Sequence, residues 1–184
     1  GSIAAYVGAL GASLGGMVAN LSSHKRGWDD RWESYSQWAE KGQILKDQLL
    51  QLVDADTQAF EGVMAAFRLP KGTDEEKAAR ATAIEEATKA AIATPFRTLE
   101  VAAEIFPLCQ AMAESGLPAS VSDAGVGALC ARAAMRGAYL NVQINTAGLK
   151  DEAYKKDVLE RGRQLLDEAE RAEAAIMAVV TKKL

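Results

Sequence analysis

Hydrophobic residues recur at spacings of three and four along most of the chain, which is the period of an amphipathic helix. Alanine and leucine outnumber the β-branched residues in these segments, and no segment alternates as a half-buried strand does. No repeat of 20 to 50 residues is visible. The pattern predicts an all-α protein with a single helical domain over residues 1–184, built as an up-and-down bundle of five to seven helices.

The first predicted helix carries no charged residue from Ile3 to Leu21. Its length alone would allow it to cross a membrane. Its glycine, alanine and polar content makes it only modestly hydrophobic, and Gly8, Gly11 and Gly15 suit a helix that neighbours approach closely. A core helix at the centre of the bundle is therefore favoured over a membrane span, and no membrane partner is predicted.

The remaining helices are delimited by turn and capping residues. A long second helix is predicted from about Asp29 to Phe67, and a last helix from Asp151 to about Val180. Between them, Thr73 to Glu76 form a capping box that opens a third helix, and Ser120 with Asp123 offers a second box before a helix that ends near Asn145. The prolines within this region are expected to start or kink helices: Pro95 and Pro107.

Composition and charge exclude several functional classes. The chain of 184 residues is 49% hydrophobic, which is enough for a buried core, and its net charge of −4 lacks the basic excess of a nucleic-acid-binding protein. Two cysteines and one histidine cannot supply a four-ligand zinc site. We therefore expect no metal and no nucleic acid, and a reduced, cytoplasmic setting.

Asp56 stands out because it falls on the apolar side of the second helix, whereas Asp54 points the opposite way. One interpretation is structural, with the carboxylate tied to a basic residue or to a nearby helix end. The other is a pocket carboxylate with a chemical role. The apolar residues that lie within about 40° of Asp56 on a helical wheel are Leu45, Leu49, Phe60 and Val63.

A row of small and polar residues follows one side of the helix after Pro118. Asn141 and Asn145 are neighbours on it, and they either fix helix register or bind a ligand. Asp123 lies about 27 Å from Asn141 along a straight helix, too far to share a small site within one chain. Asp123 is then either a helix cap or part of a site completed by another subunit whose helix runs the opposite way.

Three cations lie near one predicted corner, after the second helix. Lys71 directly follows Pro70, Arg68 lies two residues before Pro70, and Arg80 lies two turns into the next helix. This corner could bind an anion, although a lysine in a loop is more often simply solvated.

Several separated motifs resemble the cyclodeaminase/cyclohydrolase family, which comprises the C-terminal domain of formimidoyltransferase-cyclodeaminase and its free-standing bacterial relatives. The resemblance covers essentially the whole chain, in the same order. Two features depart from it. The usual proline and glycine run is missing before Gly1, which suggests a truncated start, a disordered start or a fragment of a longer bifunctional chain. A Gly-Asn pair is replaced by Gly116-Leu117. The motifs are residues 1–21, Asp54-Ala-Asp56 with Phe60, Leu69-Pro70-Lys71, Ser122 to Val126, and Asn141 to Asn145.

The resemblance implies an all-helical protein that is at least dimeric and acts on a tetrahydrofolate derivative, polyglutamylated or not, without a metal. The implied reaction closes 5-formiminotetrahydrofolate to 5,10-methenyltetrahydrofolate and releases ammonia. Close relatives instead hydrate the methenyl compound to 10-formyltetrahydrofolate, and this cyclohydrolase reaction is the first alternative. A non-catalytic helical scaffold for a formimidoyltransferase partner domain is the second.

The formimino and methenyl groups are both cationic, so carboxylates facing the reacting carbon would stabilise them. Asp56 and Asp123 are the predicted acid/base and cation-stabilising pair, from different subunits if necessary. Lys71, supported by Arg80, is expected to bind the glutamate carboxylates of the folate. The residues expected to hydrogen-bond the pterin or to fix its neighbours are Ser122, Asn141 and Asn145.

Overall fold

The computed structural model describes residues 1–184 and contains six α-helices and no strand. This confirms the all-α prediction. A short 3₁₀ turn, Pro118–Ser120, precedes the fifth helix. The helices are α1 (Ser2–Ser23), α2 (Trp32–Phe67), α3 (Asp74–Ala103), α4 (Ile105–Ser115), α5 (Val121–Thr146) and α6 (Glu152–Lys183).

Successive helices run in alternating directions. Ser2 contacts Asp56 while Gly16 packs against Gly42, so α1 and α2 are antiparallel. The α3 and α4 helices are separated only by Glu104, and we count them as one rod. Contacts between the start of α5 and the end of α6, at Gly125 and Val180, make the last pair antiparallel as well. The arrangement is an up-and-down bundle of five rods.

The α1 helix packs closely against α5 because both helices present glycine where they cross. A Cβ on Gly11 would lie 2.8 Å from the carbonyl oxygen of Gly127, and a Cβ on Gly127 would lie 3.1 Å from the carbonyl oxygen of Gly11. Both distances are shorter than van der Waals contact. The predicted central position of α1 is confirmed, since it contacts α2, α3, α4 and α5. It is also the one helix long and apolar enough to cross a membrane by length and composition.

Two helix starts differ in how well they were predicted. The capping box at Thr73 and Glu76 is present, with each side chain bonded to the other residue's backbone nitrogen. The second predicted box is wrong, because Ser120 makes no side-chain cap hydrogen bond. Ser120 belongs to the 3₁₀ turn, with φ −113° and ψ 17°, whereas a capping residue usually has an extended backbone. Asp123 is therefore not half of a capping box.

Pro95 lies inside α3 without ending it. Proline has no backbone N–H, so the carbonyl of Ala91, four residues earlier, loses its partner within the helix. The side-chain nitrogen Nδ2 of Asn145 on α5 donates to that oxygen at 2.8 Å. This hydrogen bond fixes α3 against α5, which is the register role that the sequence left open for Asn145.

The α2 and α3 helices continue well past the start of α1 as a projecting hairpin, which we call the arm (residues 57–90). Ala66 is the only buried residue in it. The apolar stripe predicted around Asp56 is buried at Leu45 and Leu49, but Phe60 is 63% exposed. The α1 helix packs against α2 as far as Asp56, which contacts Ser2.

Two glycine substitutions test the crossing of α1 and α5. Gly11→Ala should lower the free energy of unfolding by about 1–2 kcal/mol, since the methyl group meets a backbone oxygen and outweighs the better helix propensity of alanine. Gly62→Ala in α2 has open space around its Cβ and should raise it by about 0.5–1 kcal/mol. Urea unfolding followed by circular dichroism measures both, and equal effects would contradict the close packing.

A double-mutant cycle tests the Asn145 hydrogen bond. Asn145→Ala should cost about 1–2 kcal/mol in the native sequence, because the Ala91 carbonyl is left unpaired. In a Pro95→Ala background the cost should fall by about half or more, since the alanine introduced there can supply the missing backbone N–H.

Asn141→Ala serves as the matched control, because Asn141 bonds only to the Gly137 carbonyl of its own helix. Its cost should be the same in both backgrounds. An Asn145→Ala cost that does not depend on residue 95 would contradict the assignment.

Candidate functional site

Asp56 is held at the start of α1. Its Oδ2 accepts hydrogen bonds from the backbone nitrogen and from the Oγ of Ser2, both at 2.7 Å. The Gly1 nitrogen lies 3.5 Å from the same oxygen. Gly1, the N-cap residue of α1, has no side chain to satisfy the first N–H groups, so Asp56 caps α1 from the neighbouring helix. This contact supports the structural interpretation of Asp56, in which the carboxylate is tied to a nearby helix end.

The same carboxylate also has the features of a chemical group. Both recorded hydrogen bonds fall on Oδ2, which leaves Oδ1 without a hydrogen-bonding partner, and the side chain is 24% exposed. No lysine or arginine pairs with it within the chain. Two donors on one oxygen fix the orientation of the carboxylate, whose other oxygen lies against Gly1. The exposed part of the side chain can face a cationic ligand.

Asn141 and Asn145 lie at the same end of the bundle as Asp56. Ala4 near the start of α1 packs against Gly137, one turn before Asn141. Both asparagines are half-buried, and each donates a hydrogen bond from its amide nitrogen to a backbone carbonyl. Their side-chain oxygens remain the groups available to a ligand.

Lys71 and Arg80 lie at the tip of the arm. Arg80 donates to the carbonyl of Phe67 through Nε at 3.3 Å and Nη2 at 3.0 Å, and its guanidinium stacks 5.5 Å from the Phe67 ring. Arg80 therefore closes the end of α2. Lys71 is exposed and makes no ion pair within the chain, which leaves its ammonium group free for an anion.

Ser122 and Asp123 lie at the opposite end of the bundle, in the first turn of α5. Ser122 is exposed and Asp123 half-buried, and neither side chain has a hydrogen-bonding or ion-pair partner within the chain. A carboxylate is favourable at this position because of the helix dipole. Along α5, Asp123 lies about 21 Å from Gly137, which marks the Asp56 end.

The seven predicted residues therefore occupy three places and do not form one site within the chain. None of them lines five well-formed surface cavities of about 330–470 Å³. One of these cavities, of about 430 Å³, lies between α1 and α2 towards the Asp123 end and includes Met17, Leu21 and the single histidine, His24. The sequence did not single out this cavity.

The sequence also did not identify Ser2 as the partner of Asp56. The available signal was a hydroxyl residue directly before an uncharged helix, a position that often carries a cap. Elsewhere, burial raises the pKa of the Cys109 thiol to about 12, so it stays protonated and unreactive near neutral pH. Asp123, Cys109 and the other His, Cys, Asp and Glu residues form no cluster of three that could hold a metal ion.

Comparison with known proteins identifies relatives over the whole chain. Residues 1–164 match the family model described as formiminotransferase-cyclodeaminase. The chain is 40% identical over its full length to a methenyltetrahydrofolate cyclohydrolase of Methylorubrum extorquens, of which it covers 88%. It is 34% identical over 96% of its length to the formimidoyltransferase-cyclodeaminase of Rattus norvegicus, but spans only 33% of that protein.

A solved structure shows the same fold. The crystal structure of formiminotetrahydrofolate cyclodeaminase from Thermotoga maritima superposes with a TM-score of 0.79, over 100% of this chain and 85% of that one, at 27% identity. The family match and the 40% identical relative agree with this likeness and confirm the resemblance seen in the sequence motifs. This chain belongs to the formiminotransferase-cyclodeaminase family.

Proposed function

We propose that this protein binds a reduced folate and closes 5-formiminotetrahydrofolate to 5,10-methenyltetrahydrofolate with release of ammonia. The family match over residues 1–164 is the observation that carries this proposal. The fixed orientation of Asp56, which is bonded to Ser2 through one oxygen and stays 24% exposed, supports it.

In the proposed reaction, folate nitrogen-10 attacks the formimino carbon and forms a tetrahedral centre. The nitrogen-10 proton is transferred to the amino group, the bond from the carbon to that group breaks, and ammonia leaves. The remaining carbon bridges nitrogen-5 and nitrogen-10 as the methenyl cation. Asp56 carries the proton between the two nitrogens, and its charge stabilises the cationic carbon.

The arm offers a track for the rest of the folate. From Asp56 to Phe67, α2 extends about 17 Å, and Lys71 lies beyond its end. The side chains of Phe60, Met64 and Phe67 are exposed along this stretch, where they can contact an aromatic ring. A ligand with its one-carbon group at Asp56 would then place its glutamate carboxylates towards Lys71.

Methenyltetrahydrofolate cyclohydrolase is the second candidate, and the 40% identical relative with that name favours it. Here water attacks the same cationic carbon, and Asp56 would accept the proton of that water. One assay separates the reactions: methenyl absorbance rises from 5-formiminotetrahydrofolate in the first case, and falls faster than in buffer from methenyltetrahydrofolate in the second. Failure to bind any reduced folate would favour the remaining alternative, a scaffold for a transferase domain.

Asp56→Asn tests the central assignment. The amide oxygen can still accept the Ser2 hydrogen bonds, so the fold should persist, whereas kcat should fall about 10²- to 10³-fold because the charge at the reacting carbon is lost. Asp54→Asn, on the exposed side of α2, is the matched control and should retain full activity. Turnover by a folded Asp56→Asn variant at the native rate would show that Asp56 has no catalytic role.

Lys71→Met tests the glutamate contact. We expect KM for a polyglutamylated substrate to rise about three- to fivefold with kcat nearly unchanged, as for the loss of about 0.7–1 kcal/mol from one exposed ion pair. Lys25→Met, exposed beyond the other end of α1, is the control. An equal change in both variants, or none in either, would rule out a specific contact.

A further inference from the structure

The base of the arm is fastened to the rest of the bundle by polar contacts. Lys89 lies on α3 at this base, and its Nζ lies 2.6 Å from Oδ2 of Asp151, the residue directly before α6. One turn closer to the tip, Glu85 accepts hydrogen bonds from the backbone nitrogens of Asp151 at 3.2 Å and of Lys150 at 3.4 Å. We call Glu85, Lys89 and Asp151 the clasp.

The clasp is attached to a fixed part of the bundle. The Oδ1 atom of Asp151 accepts the backbone N–H of Tyr154 at 3.0 Å and so caps α6. The ammonium group of Lys89 also lies 5.4 Å from the centre of the Tyr154 ring. The hydrogen bond to Lys89 lowers the pKa of Asp151, and the same bond raises the pKa of Lys89, so both groups stay charged through the neutral range. Leu149, two residues before Asp151, is buried in the core.

Apolar burial contributes little to the position of the arm. Its one buried residue, Ala66, lies near the tip and not at the base. Between Glu85 and the tip, the side-chain hydrogen bonds of α3 join residues of the arm to one another, as the bond from Arg80 to the carbonyl of Phe67 does. The clasp is therefore the outermost polar contact between α3 and the rest of the bundle.

The clasp lies level with Asp56 along the hairpin of α2 and α3. Asp56 lies eleven residues before the end of α2 at Phe67, and Glu85 lies eleven residues after the start of α3 at Asp74. Two antiparallel helices joined by a short loop place such residues side by side. At this level α2 is held to α1 by the bonds between Asp56 and Ser2, and α3 is held to the start of α6 by the clasp.

The length of the arm makes the position of its tip sensitive to the clasp. From Lys89 to Asp74, α3 extends about 22 Å, so a rotation of about 10° at the clasp would move the tip by about 4 Å. An ion pair requires its charged atoms within about 4 Å of each other, and a shift of that size breaks it. A ligand held on the bundle at Asp56 could then no longer contact Lys71.

We propose that the clasp holds the arm at one angle to the bundle, and that its three members are thereby positioning residues for the contact of Lys71 with the glutamate carboxylates of the folate. The fixed angle of the arm does not depend on the proposed reaction, whereas its consequence for folate binding rests on the proposed function. A tip that is in place for only part of the time binds the glutamates more weakly in the same proportion. The clasp residues touch no substrate and act through Lys71.

The first experiment measures the angle of the arm without any ligand. Spin labels are attached at Glu75→Cys, exposed at the tip, and at Gln164→Cys, exposed on α6, in a Cys130→Ser background in which Cys109 is fully buried. Double electron–electron resonance, in an excess of unlabelled chain, gives the distance between the two labels of one molecule. The clasp with Lys89 intact should give one narrow distribution, and Lys89→Met should broaden or shift it by about 4 Å with unchanged helicity.

Two further variants serve as controls for the spin-label distances. Lys77→Met removes an ion pair of 2.8 Å to Asp74, which lies inside the arm, and it should leave the distribution unchanged. Lys89→Arg keeps the positive charge and should keep the native distribution. A Lys89→Met distribution that superimposes on the native one, or an equal broadening in Lys77→Met, would overturn the proposal.

The second experiment measures KM and kcat with polyglutamylated 5-formiminotetrahydrofolate. Lys89→Met should raise KM about two- to threefold with kcat unchanged, and Lys89→Arg should restore the native KM. In a Lys71→Met background, Lys89→Met should have no further effect on KM, since the contact through which the clasp acts is already lost. A general loss of stability would instead lower the activity in both backgrounds alike.

The outcomes separate the clasp from the proposed function. If the native protein turns over neither 5-formiminotetrahydrofolate nor methenyltetrahydrofolate, the proposed function fails, and the spin-label distances still decide whether the clasp sets the angle of the arm. If the native protein is active and Lys89→Met changes KM equally with and without Lys71, the positioning role is overturned. A broadened distance distribution with an unchanged KM would also overturn that role, while leaving the clasp as the contact that fixes the arm.

Discussion

The close approach of α1 to α5 at Gly11 and Gly127 determines how Asp56, Asn145 and Asp123 lie relative to one another. Because no side chain separates the two backbones there, the helices can pack in only one register. That register brings the start of α1 to the asparagine end of α5 and leaves Asp123 at the other end. The close packing of α1 thus requires small, uncharged residues. The same composition makes the exposed side of α1 apolar.

Asp56 combines a structural and a chemical role in one side chain. It caps α1 through Ser2, so its removal affects the helix that the bundle is built around. The same two hydrogen bonds hold the carboxylate in one orientation, which is what electrostatic stabilisation of a cationic carbon requires. The structural and the chemical interpretations of Asp56 are therefore compatible. The contact with Ser2 that caps α1 also holds the carboxylate in the position that the chemical role needs.

The candidate functional residues are spread over the molecule. The predicted residues are divided between two ends of the bundle and the arm. Exposed apolar side chains also continue along the arm at Phe60 and Phe67, where α1 no longer covers α2. Burial of these exposed apolar side chains would stabilise the protein.

The sequence by itself determined the helical class, the central position of α1, the capping box at Thr73 and the family, because these depend on residues close together in the chain or on motifs read in order. It also identified Asp56 as unusual. Its errors came where neighbours in space decide the outcome. Phe60 is exposed although it lies on the same stripe as the buried Leu49, and Ser120 does not cap α5 because a 3₁₀ turn holds its backbone.

Only the tertiary structure showed that Asp56 bonds Ser2, that Asn145 bonds the carbonyl freed by Pro95, and that Asp123 lies apart from both. These pairs join residues 54 positions apart in the chain, and helical periodicity carries no information about contacts at that separation. Periodicity states which side of a helix is apolar. Periodicity does not state which helix packs on that side or how far along the contact extends. Both depend on the packing of backbones whose register is set by a few glycines.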